Sequence, residues 1–310
     1  MDKLVLSVAV TGSATVPTQS PYIPITPEQI ASDAIACAEL GATAIHIHAR
    51  DPKNGRPSPD KELMKTIARS IKAKSDVIVG ISTGGGIGMT PLERLEPASY
   101  CESELASFNL GSMNFSMHTA ARHYNSDDYL YDWEEEHLRG SKGFIFRNTF
   151  EDMELFASTM QAKMIKPEFE AYDIGHLHNL KFLEKTGFAK PPYWIQFVLG
   201  VLGGMAATAE SLMMMIQTAD RLFGKENYRY SVIGVGYPMQ FQMAAISMAM
   251  GGHVRVGLED NIFLRRGQLA TNMQLVEKVK RLAEELERPL ATPAEARSIL
   301  GLKGLEAVNY

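Results

Sequence analysis

Two histidines stand one residue apart in the stretch AIHIHARDP, Ala44 to Pro52. Successive side chains of a β-strand point to opposite faces, so His46 and His48 would share one face. Two imidazoles that reach one point are the beginning of a site for Zn2+ or a similar divalent ion. The bland alternative is two half-buried histidines bonded to neighbours. A second H-x-H pair, His176 and His178 in DIGHLHN, falls at a helix start. There positions i and i+2 diverge, so that pair is read as structural.

A catalytic zinc commonly has a third protein ligand and one open position. The run HVRVGLEDN, 253–261, offers Arg255, Gly257 and Glu259 on one strand face, with Asp260 and Asn261 following. Glu259 is the best third ligand. Arg255, pointing inward, would be a costly buried charge unless paired. The run GISTGGG, 80–86, brings glycine N–H groups and the Ser82 hydroxyl together as a candidate carboxylate cradle. Ser107 and Asn109 share one face of ASFNL, and Glu168, Glu170 and Tyr172 share one face of KPEFEAYD.

These groups can meet only if the intervening elements bring them together. Strand-like runs are expected at 3–12, 43–50, 76–83, 104–110, 166–173, 193–200, 228–236 and 253–260. Helical runs alternate with them, at 26–41, 60–75, 91–97, 149–164, 175–187, 208–224, 238–252 and 271–288. The helix at 26 carries Thr as N-cap, Pro at the first helical position and a closing Gly. Such alternation implies a parallel sheet, and about eight units in one chain predict an α/β fold, a (β/α)8 TIM barrel. A Rossmann-like sheet is the alternative, but VTGSATVP after the first strand lacks the G-x-G-x-x-G spacing. The barrel is expected to be a single domain over 1–310, with an irregular insertion at 111–147 after strand four and a short terminal helix in ATPAEARSILGL. Barrel chemistry belongs at the C-terminal ends of the strands, where the histidines, the glycine run and Glu259–Asp260 all fall.

A net charge of -5 with no basic block argues against nucleic acid or an anionic membrane as partner. Cys37 and Cys101 follow no metal or redox spacing and fit a reducing cytoplasm. The N-terminal run reads as a first strand, not a signal peptide, and no apolar run is long enough to span a bilayer. The Met-rich runs SLMMMI and PMQFQMAAISMAM are read as core and oligomer packing.

AVTGS, TPEQIA, GATAIHIHARDP, ISTGGG, ASFNLGSMNF, KPEFEAYDIGHL and GHVRVGLEDN occur in order over nearly the whole chain. In them the chain resembles the β-keto acid cleavage enzyme family, whose best-known activity is 3-keto-5-aminohexanoate cleavage. The resemblance implies a (β/α)8 barrel, a homotetramer, and one divalent ion, normally Zn2+, on His46, His48 and Glu259. It implies acetyl-CoA as co-substrate of a small β-keto acid, with acetoacetate and a new acyl-CoA as products. Ser82 and Gly85 match the family's substrate-carboxylate positions, and Ser107 a hydroxyl-bearing substrate contact. Arg255 and Asp260 match the pair associated with proton abstraction, and Glu170 matches a further catalytic carboxyl.

One departure bears on specificity. The aminohexanoate enzyme has a glutamate after the first strand that meets the substrate's ammonium; here Ala14 stands in TGSATVP. Neutral or anionic β-keto acids are therefore expected to outperform cationic ones. The rival readings are a metal-dependent TIM-barrel hydrolase, an aldolase acting on a small carboxylate, and a non-catalytic metabolite sensor. A Schiff-base aldolase needs a lysine inside the barrel, and Lys166 is at the wrong end of its strand.

Overall fold

The computed structural model describes residues 3–310. Its centre is a closed barrel of eight parallel strands in chain order: β1 (Leu6–Ala9), β2 (Ala44–Ile47), β3 (Ile78–Ile81), β4 (Leu105–Asn109), β5 (Lys166–Ala171), β6 (Tyr193–Leu199), β7 (Tyr228–Gly234) and β8 (His253–Val256). The predicted fold is thus the observed one. Outward-facing Leu6, Val8, Ile45, Ile47, Val79, Phe169 and Val254 belong to the main apolar core with the surrounding helices. The alternate positions face the barrel axis, which is why polar Ser7, His46, Ser107, Glu168, Gln196, Ser231 and Arg255 are buried there.

The helices that wrap the barrel are α1 (Pro27–Glu39), α2 (Lys61–Lys72), α3 (Pro91–Cys101), α5 (Phe150–Ala162), α6 (Ile174–Lys185), α7 (Ala209–Phe223), α8 (Met239–Ala249) and α9 (Asn272–Glu285). Thr side chains cap the N-termini of α1, α3, α5, α7 and α9, accepting an N–H three residues on. Helix α3 extends beyond the predicted 91–97, to Cys101. Of the methionines in α7 and α8, Met215, Met243 and Met248 are core, whereas Met213 and Met214 are exposed. Cys37 and Cys101 are buried free thiols, and no described helix is long and apolar enough to cross a membrane.

The N-terminal end of the barrel is plugged by Val5, Ala44, Ile78, Leu105 and Trp194, closed below by Ala296 and Leu300 of α10 (Pro293–Leu300). Arg297 of α10 holds buried Glu104 with two bonds of 2.7 and 2.8 Å. This plugged end serves stability and leaves the opposite end for chemistry.

That opposite end departs from the expectations at two places. The 111–147 segment is not irregular throughout: it holds α4 (Asp132–Gly140) and a ribbon pairing Met113–Asn114 with Ile145–Phe146. Only Glu134 and Leu138 of α4 are buried, so the helix carries too narrow an apolar stripe to be read from periodicity. The eighth strand stops at Val256, not at Asp260. Gly257 has φ +135°, and a Cβ there would lie 2.1 Å from the Ala9 carbonyl oxygen, so the chain turns on a position only glycine can hold.

Candidate active site

His46 is the penultimate residue of β2 and His48 directly follows the strand; both are buried with their Nε2 atoms 3.3 Å apart. Glu259 reaches them from beyond β8, with Oε2 3.7 Å from His46 Nε2 and Oε1 3.4 Å from His48 Nε2. A tetrahedral ion with bonds of about 2.0–2.1 Å sets its ligand atoms about 3.3–3.5 Å apart, so this donor set fits a zinc-like ion. The three are the one group of candidate metal ligands found among the described residues. Burial and the Arg255 charge hold the His46 imidazole well below its ordinary value of 6.5, hence neutral and able to ligate. Burial alone would raise Glu259, but Arg255, His48 and His46 together hold it ionised, well below the carboxylate range. On the far side of His46, Nδ1 lies 4.0 Å from Glu168 Oε2, and Trp194 Nε1 donates to Glu168 Oε1 at 2.8 Å.

Glu259 owes its place to the glycine turn, not to strand alternation. Its N–H bonds the Ala9 carbonyl, and the Asp260 and Asn261 N–H groups bond the Gly257 carbonyl. Asn272 Oδ1 accepts the Leu258 N–H while its Nδ2 donates to the Val10 carbonyl, tying the turn to the first strand. Gly12 lies against the turn: a Cβ there would sit 2.3 Å from Glu259 Cγ.

Arg255 faces three carboxyl groups. It makes two 3.0 Å bonds to Asp260, and approaches Glu259 at 2.9 Å and Glu170 at 3.6 Å. Burial raises Asp260 above its ordinary value against the pull of Arg255. Burial also pushes Glu170 up to about 8, so it carries a proton at neutral pH. The Tyr172 hydroxyl donates to Glu170 at 3.3 Å.

The third-strand loop forms the next wall. Ser82, Gly84, Gly85 and Gly86 line the same cavity as the histidines, Arg255, Glu170 and Asp260. Ser107 is not in that lining: its hydroxyl accepts the Thr83 N–H at 2.9 Å and braces the loop from beneath. Arg94 of α3 braces it from outside. Its Nε donates to the Thr83 carbonyl, Nη1 to the Arg147 carbonyl and Nη2 to Asn148 Oδ1. Arg94 carried no signal in PLERLEP, where its spacing reads as a helix surface.

Ser13 and Ala14 form the lip after β1. Buried Arg50 holds that lip through the Gly12 and Thr15 carbonyls, at 2.6 and 2.9 Å, while also bonding Gly55. From α4, His137 Nε2 donates to the Ser13 carbonyl at 2.8 Å. The remaining wall is apolar and includes Phe115, Phe144 and Phe146 of the 111–147 segment. Of the groups set aside earlier, His176 accepts the Tyr172 N–H through Nδ1, and Lys166 donates to the Pro192 carbonyl at the plugged end.

Residues 3–302 match a family model described as beta-keto acid cleavage enzyme. The chain is 43% identical over 309 residues to the 3,5-dioxohexanoate:acetyl-CoA acetone transferase of Paraburkholderia graminis, covering 99% of this chain and 98% of that protein. It is 38% identical over 305 residues to a 3-keto-5-aminohexanoate cleavage enzyme of Fusobacterium nucleatum, covering 98% of this chain and 99% of that one. A solved ternary complex of ObcA with a C4-CoA adduct and oxalate superposes with a TM-score of 0.72 at 18% identity, over 91% of this chain and 68% of that chain. That likeness concerns the fold.

Proposed function

Since the chain belongs to the β-keto acid cleavage enzyme family, we propose that His46, His48 and Glu259 hold a divalent ion, Zn2+ by donor type, in an acetyl-CoA-dependent β-keto acid cleavage enzyme. The chain acts as an acyltransferase that turns a β-keto acid and acetyl-CoA into acetoacetate and a new acyl-CoA, its 310 residues serving as one catalytic domain. The observation that supports the site reading best is convergence. A zinc-like donor triad, an arginine-held carboxylate and a glycine loop face one cavity.

When bound, the ion supplies Lewis acidity toward the ketone and carboxylate oxygens. The Ser82–Gly86 loop, including Gly85, holds the acid's carboxylate, with Ser107 fastening the loop. Asp260, oriented by Arg255, takes the proton from the carbon between ketone and carboxylate. Glu170 keeps a proton beside Arg255 and so does not compete as base. The carbanion attacks the thioester carbonyl and forms a C–C bond. Coenzyme A then moves within the adduct to the original ketone carbon. Cleavage of the old C–C bond expels acetoacetate as its enolate, which takes the proton back from Asp260, and leaves the substrate's acyl group on coenzyme A. Holding reacting groups in register in this way can account for several kcal/mol of such a barrier.

Ala14 presents no anion at the lip, which supports neutral or anionic acids over cationic ones. Incubation with acetyl-CoA and a panel of β-keto acids, following acetoacetate, tests both points. A clear preference for 3-keto-5-aminohexanoate refutes the charge reading, and no acetoacetate from any acid refutes the reaction. His48→Ala is expected to lose the metal; full zinc content with full activity would sink the ligand assignment. The family resemblance also supports a homotetramer in the cytoplasm, and light scattering tests the assembly.

A further inference from the structure

Away from the metal triad the cavity changes character. Phe115 and Phe146 stack edge-on with centroids 5.7 Å apart, and Phe144 lies 6.4 Å from Phe146. Val198 of β6 and Ile233 of β7 continue this surface in one buried cluster with Tyr172, against which Phe115 packs. None of these five phenylalanine, valine and isoleucine side chains has a polar atom. The ionisable groups of the lining otherwise gather around the triad, and His137 donates its Nε2 proton to the lip.

The geometry points to a substrate whose group beyond the ketone is a hydrocarbon, seated against Phe115, Phe144, Phe146, Val198 and Ile233. This deepens the β-keto acid reading and rests on it. With the carboxylate on the Ser82–Gly86 loop and the ketone toward the triad, the acyl tail faces this wall. Arg94 links the two ends. Its guanidinium lies 4.6 Å over the Phe146 ring while its Nε holds the Thr83 carbonyl of the loop. One side chain thus touches both the carboxylate anchor and the wall.

Each methylene buried on such a wall is worth about a fourfold gain in kcat/KM. A second carbonyl placed there finds no donor on these five side chains, the Tyr172 hydroxyl being turned to Glu170, and forfeits its hydrogen bonds to water. The acid of the Paraburkholderia relative's name, 3,5-dioxohexanoate, therefore transfers more slowly than 3-oxohexanoate, which has the same carbon count.

The test measures acyl-CoA formation by the metal-loaded enzyme at saturating acetyl-CoA, with 3-oxopentanoate, 3-oxohexanoate, 3-oxo-octanoate, 3,5-dioxohexanoate and 3-oxoadipate. A rise of about fourfold per methylene from the five- to the six-carbon acid is expected, with 3-oxohexanoate ahead of 3,5-dioxohexanoate by about tenfold. Phe146→Ala flattens the length dependence without moving the KM of acetyl-CoA. Val198→Thr, nearly isosteric and so the safer fold, narrows the gap between the two six-carbon acids. Preference for 3,5-dioxohexanoate or 3-oxoadipate overturns the inference. So does a raised acetyl-CoA KM in Phe146→Ala with the length dependence intact, which would give the wall to the thioester's arm. Absence of acyl-CoA from every acid overturns instead the reaction on which the inference rests.

Discussion

Arg255 closes on Asp260 through two parallel N–H···O bonds, Nε to Oδ2 and Nη2 to Oδ1, each 3.0 Å long. The same Nη2 lies 2.9 Å from Glu259 Oε1, so one guanidinium orients both the proposed base and a proposed metal ligand. The pair is buried, and a bidentate fork fixes the carboxylate plane as a point charge could not.

Asp260→Asn keeps the size of the side chain and removes its basicity. Turnover is expected to fall by about 10²- to 10⁴-fold with zinc content unchanged. Near-normal rates in a steady-state assay would clear Asp260 of the role.

Gly12→Ala tests how closely the first strand's end approaches Glu259. The new Cβ would meet Glu259 Cγ at 2.3 Å, near the backbone end of that side chain, where rotation at its tip gives no relief. Metal affinity is expected to fall by about 10- to 100-fold, read by competition with a chromogenic chelator, while the far-UV spectrum stays unchanged. Undiminished affinity would show that the Gly257 turn yields.

Arg94→Ala strips hydrogen bonds from the Thr83 and Arg147 carbonyls and from Asn148 at once. A loss of about 3 kcal/mol in unfolding free energy is expected, together with a raised KM for the acid. A stability loss with the KM for the acid intact would separate Arg94 from the loop's function.

His137 gives the lip a pH dependence. Burial lowers its pKa to about 4 from the ordinary 6.5, with the Arg50 and Arg56 charges adding to the shift and its bond to Ser13 opposing it. Between those values the unfolded chain binds more protons than the folded one. The contribution is therefore fully present above 6.5 and is lost as the pH falls toward about 4. The melting temperature of the protein should drop on acidification through this window, and less so in His137→Gln. Equal slopes for both proteins would remove His137 from the account.

Much of the scaffold is legible from local signals. Thr26 before Pro27 starts a helix because its hydroxyl satisfies the Gln29 N–H, a contact within one turn. His46 and His48 share a direction because strand pleating has period two. Helix α4 was not legible, since two buried residues among nine leave no stripe to detect.

Glu259 shows where local reading ends. Its nearness to the histidines was inferred from alternation along 253–260, but the strand stops at Val256 and a left-handed Gly257 makes the delivery. The functional parts of Arg94, Arg50 and His137 were likewise invisible. Each holds a carbonyl of another segment, Arg94 reaching Arg147 and His137 reaching Ser13.

By itself the sequence determined the strand–helix order, the shared face of the two histidines, the family's motifs and the missing anion at Ala14. Those depend on backbone periodicity and residue type, which are properties of neighbours along the chain. Only the tertiary structure decided that Glu259 packs on Gly12, that Arg255 serves Asp260 and Glu259 together, and that phenylalanines from 111–147 form the far wall. These depend on barrel closure, which brings the first and eighth strands side by side, and no local spacing encodes a contact made across that seam.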